Sequence, residues 1–265
     1  MVDIEDPATL APVAEIELRN APLVRVLAQV RFPLIVAIEQ REFIAPFQEA
    51  IRREYPSLRQ EVTQGMVIGP GVVAPAAPQR AWRFTDIDVQ WRVTLAPDFL
   101  ALETTAYTSR SEFFAKLRSV LELLDDHVGP KVVDRLGVRY IDRISGESLD
   151  QIASLVRSEV RGITGTRAAV HLQHALTESV FLVEKAQLLA RWGLLPAGAT
   201  VDPGAIEPID VPSWILDLDM FTTKSFPFNV DRVVTDGRAF AERIYTFFRW
   251  AVTDDFVRHY GGGIS

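Results

Sequence analysis

Residues 132–144 read VVDRLGVRYIDRI, and the period-two alternation of a strand sorts them into two unlike faces. Val133, Arg135, Gly137, Arg139, Ile141 and Arg143 share one face, and Val132, Asp134, Leu136, Val138, Tyr140 and Asp142 share the other. Residues 23–32 alternate in the same way, with Val24, Val26, Ala28, Val30 and Phe32 set against Leu23, Arg25, Leu27, Gln29 and Arg31, and Pro33 ends that strand. The period then changes. Ile44, Phe47, Ile51 and Tyr55, three and four residues apart, predict an amphipathic helix over 43–55 closed by Pro56. Phe113, Phe114, Leu117, Val120, Leu121 and Leu124 predict a second helix, which Ser109 or Ser111 can cap and Gly129-Pro130 ends.

Between these helices, residues 81–95 and 99–106 read as a hairpin turning at Ala96-Pro97-Asp98. The glycines and prolines of 65–79 predict a loop or loosely paired strand, a candidate flap. The later chain repeats the plan in outline: a helix over 149–161, strands over 168–177, 180–195 and 213–223, and a long helix over 237–252. Phe240, Ile244, Phe247, Phe248 and Ala251 line one side of that last helix, and Thr253 can cap a short final turn. The expected fold is α+β, with antiparallel sheets each packed by a long helix and an internal duplication of a strands-then-helix unit. Residues 1–19 read as a flexible arm, 20–147 and 148–260 as two halves of one continuous domain, and 261–265 as a disordered tail.

Composition narrows the chemistry. A chain of 265 residues, 48% hydrophobic and 24% charged, is long enough for a true core. No apolar run approaches the ~20 residues of a membrane span, and the acidic opening MVDIEDPATL does not resemble a signal peptide, so a cytoplasmic, membrane-free protein is expected. The absence of cysteine removes disulfides, zinc-thiolate sites and thiol nucleophiles. A net charge of −7 argues against nucleic acid as the partner.

Two constellations remain. Asp86-Ile-Asp88 and Asp217-Leu-Asp219 each place two carboxylates on one strand face, about 7 Å apart. Hard oxygen ligands of this kind can hold Mg²⁺ or Mn²⁺ at a phosphoryl-transfer site. The competing expectation, which we favour, is that they pair across the sheet with Arg135, Arg139, Arg143 or Arg92. The arginine row, joined by Arg25 and Arg31, is the candidate site for a carboxylate or phosphate, which planar guanidinium forks suit. His127, His171, His174 and His259 lack metal-helix spacing, no Gly-x-Ser-x-Gly elbow activates a serine, and no phosphate loop is present. No cofactor is expected. The five tryptophans read as core or interface residues.

Asn20-Ala21-Pro22 leading into a strand that ends Val30-Arg31-Phe32, the Tyr107 and Phe113 pair, Arg135-Leu-Gly-Val-Arg139-Tyr140-Ile-Asp142-Arg143 and Trp214-Ile-Leu-Asp217-Leu-Asp219 occur in this order over most of the chain. Together they resemble a sporadically distributed family of uncharacterised bacterial proteins of about this length. That pattern carries Asn where Asp142 stands, and a Trp-Glu pair where Ser109-Arg110 stands. The resemblance carries no assigned catalysis; its patchy distribution implies mobile or defence-linked genes. The combined expectation is a non-catalytic binding or assembly protein offering a sheet surface to a protein or small anionic ligand. The open edges of an antiparallel sheet leave room for a homodimer. The alternative is a metal-dependent enzyme acting on a phosphate-bearing or nucleotide substrate, with the four aspartates on metal and the arginines on phosphate.

Overall fold

A computed structural model describes residues 6–63, 66–69, 72–75 and 79–263. Helices combine with a large antiparallel sheet, so the α+β expectation holds. In chain order the elements are β1 (Leu23–Arg31), α1 (Arg41–Ile51), β2 (Ser57–Thr63), β3 (Met66–Gly69), β4 (Val72–Pro75), β5 (Gln79–Thr85), β6 (Trp91–Ala96), β7 (Phe99–Thr104) and α2 (Arg110–His127). There follow β8 (Val132–Val133), β9 (Arg135–Ser145), the single turns α3 (Glu147–Asp150), α4 (Ile152–Leu155) and α5 (Ser158–Arg161), and then β10 (Ala175–Val183), β11 (Ala186–Leu195) and β12 (Ser213–Thr222). The last elements are β13 (Phe226–Pro227), α6 (Val230–Ala251) and α7 (Asp254–His259). Nine strands hydrogen-bond in the order β10-β11-β12-β9-β1-β7-β6-β5-β2.

Two compact units interleave along the chain. The first comprises Met1–Val26, Val138–Thr223 and Arg238–Ser265; the second comprises Leu27–Gly137 and Lys224–Gly237. In the second unit, Ser109 caps α2 by accepting from the Glu112 backbone N–H at 3.1 Å. Phe113 of α2 packs on Trp91 at 5.9 Å, and Phe47 of α1 meets Phe84 edge-on at 5.6 Å. Trp82 is buried and donates its indole N–H to the Ile38 carbonyl at 2.7 Å, so it is a core residue. The flap expected over 65–79 lies partly outside the described residues; within them, β3 pairs with β4.

In the first unit, β10, β11 and β12 form consecutive antiparallel pairs. Phe247 of α6, fully buried, contacts Phe181 at 5.2 Å and Trp192 at 6.4 Å, so the odd-numbered residues of β10 and the even-numbered ones of β11 face the helix. Burying an aromatic ring of this kind stabilises by ~1.5–3 kcal/mol. Residues of the expected N-terminal arm are hydrogen-bonded here: the Tyr245 hydroxyl accepts from the Ile16 N–H at 2.7 Å, and Arg243 donates to the Pro7 carbonyl at 3.1 Å.

Several elements differ from the pattern-based reading. The segment 81–95 is two strands broken by a turn at Asp86–Gln90, where Val89 takes a φ of 57°. The helix expected over 149–161 is three single turns. Its continuation is displaced by long-range backbone pairing: Val156 bridges Val252, Arg157 N–H donates to Ala251 and Thr253 N–H donates to Leu155. The strand expected over 168–177 begins only at Ala175, after a 3-10 turn at Arg167–His171. Helix α6 starts seven residues before the expected Gly237, because the Asn229 side chain accepts from Arg232 N–H and caps it.

Gly193 on β11 has a φ of +147°, and a Cβ there would lie 1.9 Å from the Ala175 carbonyl oxygen of β10. Gly193→Ala is therefore expected to destabilise the chain by about 1–3 kcal/mol, read as a lowered midpoint in denaturant unfolding. A midpoint equal to that of the unmodified chain would show that the β10–β11 approach is looser than described.

Candidate functional site

The strands β9, β11 and β12 converge on one buried charge cluster within the first unit. Arg191 and Asp217 stand directly opposite on neighbouring strands. Arg139 grips Asp217 with a planar fork, Nε to Oδ1 at 2.7 Å and Nη2 to Oδ2 at 2.8 Å. Arg191 adds Nε and Nη2 to the same Oδ2 at 3.0 and 2.7 Å. The third arm of Arg139, Nη1, reaches Asp202 Oδ2 at 2.6 Å. Glu178 of β10 stands 4.0 Å from Arg191 at the exposed end of the cluster.

Asp217 is 1% exposed and Arg139 8%. Burial by itself would weaken the charge on Arg139, but the hydrogen bonds and negative charge of Asp217, then Asp202, override it and raise its pKa. Burial pushes Asp202 upward, yet the bond and charge of Arg139 hold its carboxyl below the usual value. The lid over this cluster is the loop after β11. Asp202 Oδ1 accepts from Gly204 N–H at 3.0 Å, while Val201, Ala205 and Ile206 pack with Ile141 and Val24. Two guanidiniums and two carboxylates thus neutralise one another in place.

The sequence-derived residues do not all meet. Arg143 N–H donates to the Pro22 carbonyl at 2.8 Å, which sets Arg25 opposite Tyr140. Arg25 therefore faces away from Arg139 and Arg143, because alternation puts Tyr140 on the other face. Arg31 is exposed and pairs with Asp98 at 3.4 Å. Arg135 and Arg25 are each engaged by neighbouring groups. Of the row, Arg143 alone keeps two N–H groups, at Nε and Nη2, buried without a hydrogen-bond partner.

The aspartates separate as well. Asp86 and Asp88 lie in the β5–β6 turn rather than on a strand face, and belong to the second unit. Asp86 Oδ1 accepts from the Gln90 and Trp91 N–H groups at 2.8 and 3.0 Å, which is what makes the turn. Arg92 pairs with Glu103 across β6 and β7 rather than with these aspartates. Asp217 and Asp219 do share a face of β12, but Asp217 is taken by its two arginines and Asp219 is also engaged. Among the described residues no group of three or more His, Asp and Glu is placed to hold a metal ion. His171 and His174 lie in the turn and connection before β10.

A second polar cluster sits on the opposite face of β9. Ser148 Oγ is 2.9 Å from His259 Nε2, and the same hydroxyl hydrogen-bonds the Tyr260 phenol. Tyr260 is raised by burial first and then by the nearby Asp142 charge. Asp142 is itself buried, and desolvation pushes its carboxyl up to about 7. Sequence reading did not join Ser148 to His259, since 111 residues separate them. It also missed Arg191 and Asp202. Arg191 carried a signal, because it alternates with Ala186, Leu188, Ala190 and Trp192, whereas loop residue Asp202 carried none.

No family model matches this chain, and no curated protein matches it either. Among the described residues, no helix is long and apolar enough to cross a membrane.

The folded state holds a proton on Asp142 that the unfolded chain releases near pH 4. The stabilisation is therefore complete below that value, is lost as pH rises from about 4 to 7, and is absent above. Over that window the loss is on the order of a few kcal/mol. Denaturant unfolding at pH 5 and pH 8 should show the lower stability at pH 8, and Asp142→Asn should raise stability at pH 8 and flatten the difference. An Asn variant that keeps the full pH dependence would place its origin elsewhere.

Proposed function

We propose that this chain is a non-catalytic binding or assembly protein that offers the sheet face of its first unit to a protein partner in the cytoplasm. The observation that carries this reading is the internal neutrality of the Arg139–Asp217–Arg191–Asp202 cluster. Its lone pairs and N–H groups are spent on one another, so neither a metal ion nor a phosphate finds a free set of ligands there. The outer part of the same face is apolar and open: Leu176, Val180 and Leu182 of β10 are 39%, 57% and 79% exposed. Such a row suits a protein surface better than a small polar ligand.

One observation favours a second reading, a small anion bound at Arg143, whose two buried N–H groups have no partner. The strands-then-helix plan seen in both units supports an ancient duplication, which this reading does not require.

A hydrolysis screen over nucleotides and phosphate esters with Mg²⁺ and Mn²⁺ should give no turnover above buffer. Calorimetric titration with inorganic phosphate separates the two binding readings: heat that Arg143→Gln removes would favour the anion, and no heat the protein partner. Turnover that Asp217→Asn abolishes would overturn both and restore the metal-dependent enzyme.

A further inference from the structure

The strand β10 stands at the end of the sheet order, with β11 as its only strand neighbour among the described residues. Open edges template the addition of another strand, and proteins ordinarily blunt them with proline, lysine, bulges or brevity. β10 uses none of these. It is nine residues long, ALTESVFLV, and its register against β11 runs unbroken from Ala175↔Leu194 to Val183↔Ala186. Its single charge, Glu178, lies toward Arg191 of β11, 4.0 Å away.

Two faces flank this edge. Phe181 turns toward α6, and the alternate residues Leu176, Val180 and Leu182 turn the other way into solvent. A two-residue turn, Glu184-Lys185, closes the hairpin on the Val183↔Ala186 pair. Counting back from that closing pair, the odd-numbered residues spend their backbone groups on β11, and Leu176, Glu178, Val180 and Leu182 direct theirs outward. The outward hydrogen-bonding residues are thus the same ones that carry the exposed apolar side chains.

We infer that β10 is the edge through which a second copy of this chain pairs, antiparallel about a two-fold axis at Ser179. This rests on the binding reading above and names its partner. Ser179 is the midpoint of the strand, so this register alone lets all nine residues pair with all nine of the other copy. It sets Leu176 against Leu182 of the partner subunit, twice by symmetry, and brings Val180 diagonal to the partner's Val180. The two Glu178 carboxylates are offset rather than opposed, each opposite the partner's Val180. A pairing that moved the axis onto Glu178 would oppose like charges and strand Leu182 beyond the end of the ladder. The strand matches itself over its full length in one register, which favours a second copy over an unrelated peptide.

The test is light scattering of the full chain at about 50 μM, well above a micromolar dissociation constant. The expected mass is twice the 29.6 kDa of one chain. Val180→Lys and Leu182→Lys, both at exposed positions, should each return the mass to that of one chain without changing the circular dichroism spectrum or the unfolding midpoint. A single-chain mass for the unmodified protein overturns the inference, as does a dimer that survives either substitution. Two substitutions guard against one of them misfolding. A single-chain mass without turnover in the hydrolysis screen removes this pairing and leaves the binding reading standing, whereas turnover removes the binding reading whatever the mass.

Discussion

A carboxylate with 1% of its surface exposed must be compensated where it stands, and Asp217 is compensated by two guanidiniums arriving from the strands on either side. Stripping the water from an isolated carboxylate costs several kcal/mol, and the attraction of a charge partner repays this only when the geometry is good. Here it is good: Arg139 forks both oxygens, Arg191 adds two more N–H groups, and Asp202 takes the N–H of Arg139 left over. A hydrophobic trio could fill the same volume at equal or lower free energy. What the ions supply is register, since slipping β12 by one residue would turn Asp217 toward α6 and take it from both of its arginines.

That constraint organises the rest of the first unit. With Asp217 fixed on the face away from α6, Leu216 and Leu218 go to the helix face with Trp192 and Ala190. The loop carrying Val201, Asp202 and Ile206 then has both a polar anchor in Arg139 and an apolar seat on Ile141, which seals the inner part of the face. The outer part is left to β10 and β11, where only Glu178 of the exposed row is charged. The Arg139–Asp217–Arg191–Asp202 cluster is covered and self-paired, while Leu176, Val180 and Leu182 of β10 stand exposed.

Much of this was legible in the residue pattern, and the failures share a cause. The strands β1, β9 and β12 and the helices α1 and α2 follow from local periodicity, and the caps at Ser109 and Thr253 from residue type. The pairing of arginines with Asp217 was foreseen because alternation alone fixes the face each residue occupies. What alternation cannot supply is a partner far along the chain. Val156 leaves the helical path because Val252 pairs with it, Asp202 enters the cluster from a loop, and Ser148 meets His259 across 111 residues. Arg25 shows the same limit from the other side: its strand was read correctly, but which face meets Arg139 depends on the register between β1 and β9. The paired aspartates at 86 and 88 failed locally, because Asp86 closes a turn with its own neighbours' N–H groups.

The central claim is that Arg139 and Asp217 exist for each other, and a double-mutant cycle measures that directly. Denaturant unfolding of Arg139→Met, Asp217→Leu and the pair combined should show each single change costing up to about 3–5 kcal/mol, because each strips a buried charge of its forked partner and leaves only Arg191 on Asp217 or Asp202 on Arg139. The combined variant should recover at least ~2 kcal/mol of the summed loss. Losses that add to within about 0.5 kcal/mol would mean that the two side chains act independently, and the account of the cluster as a closed, self-neutralised unit would fail.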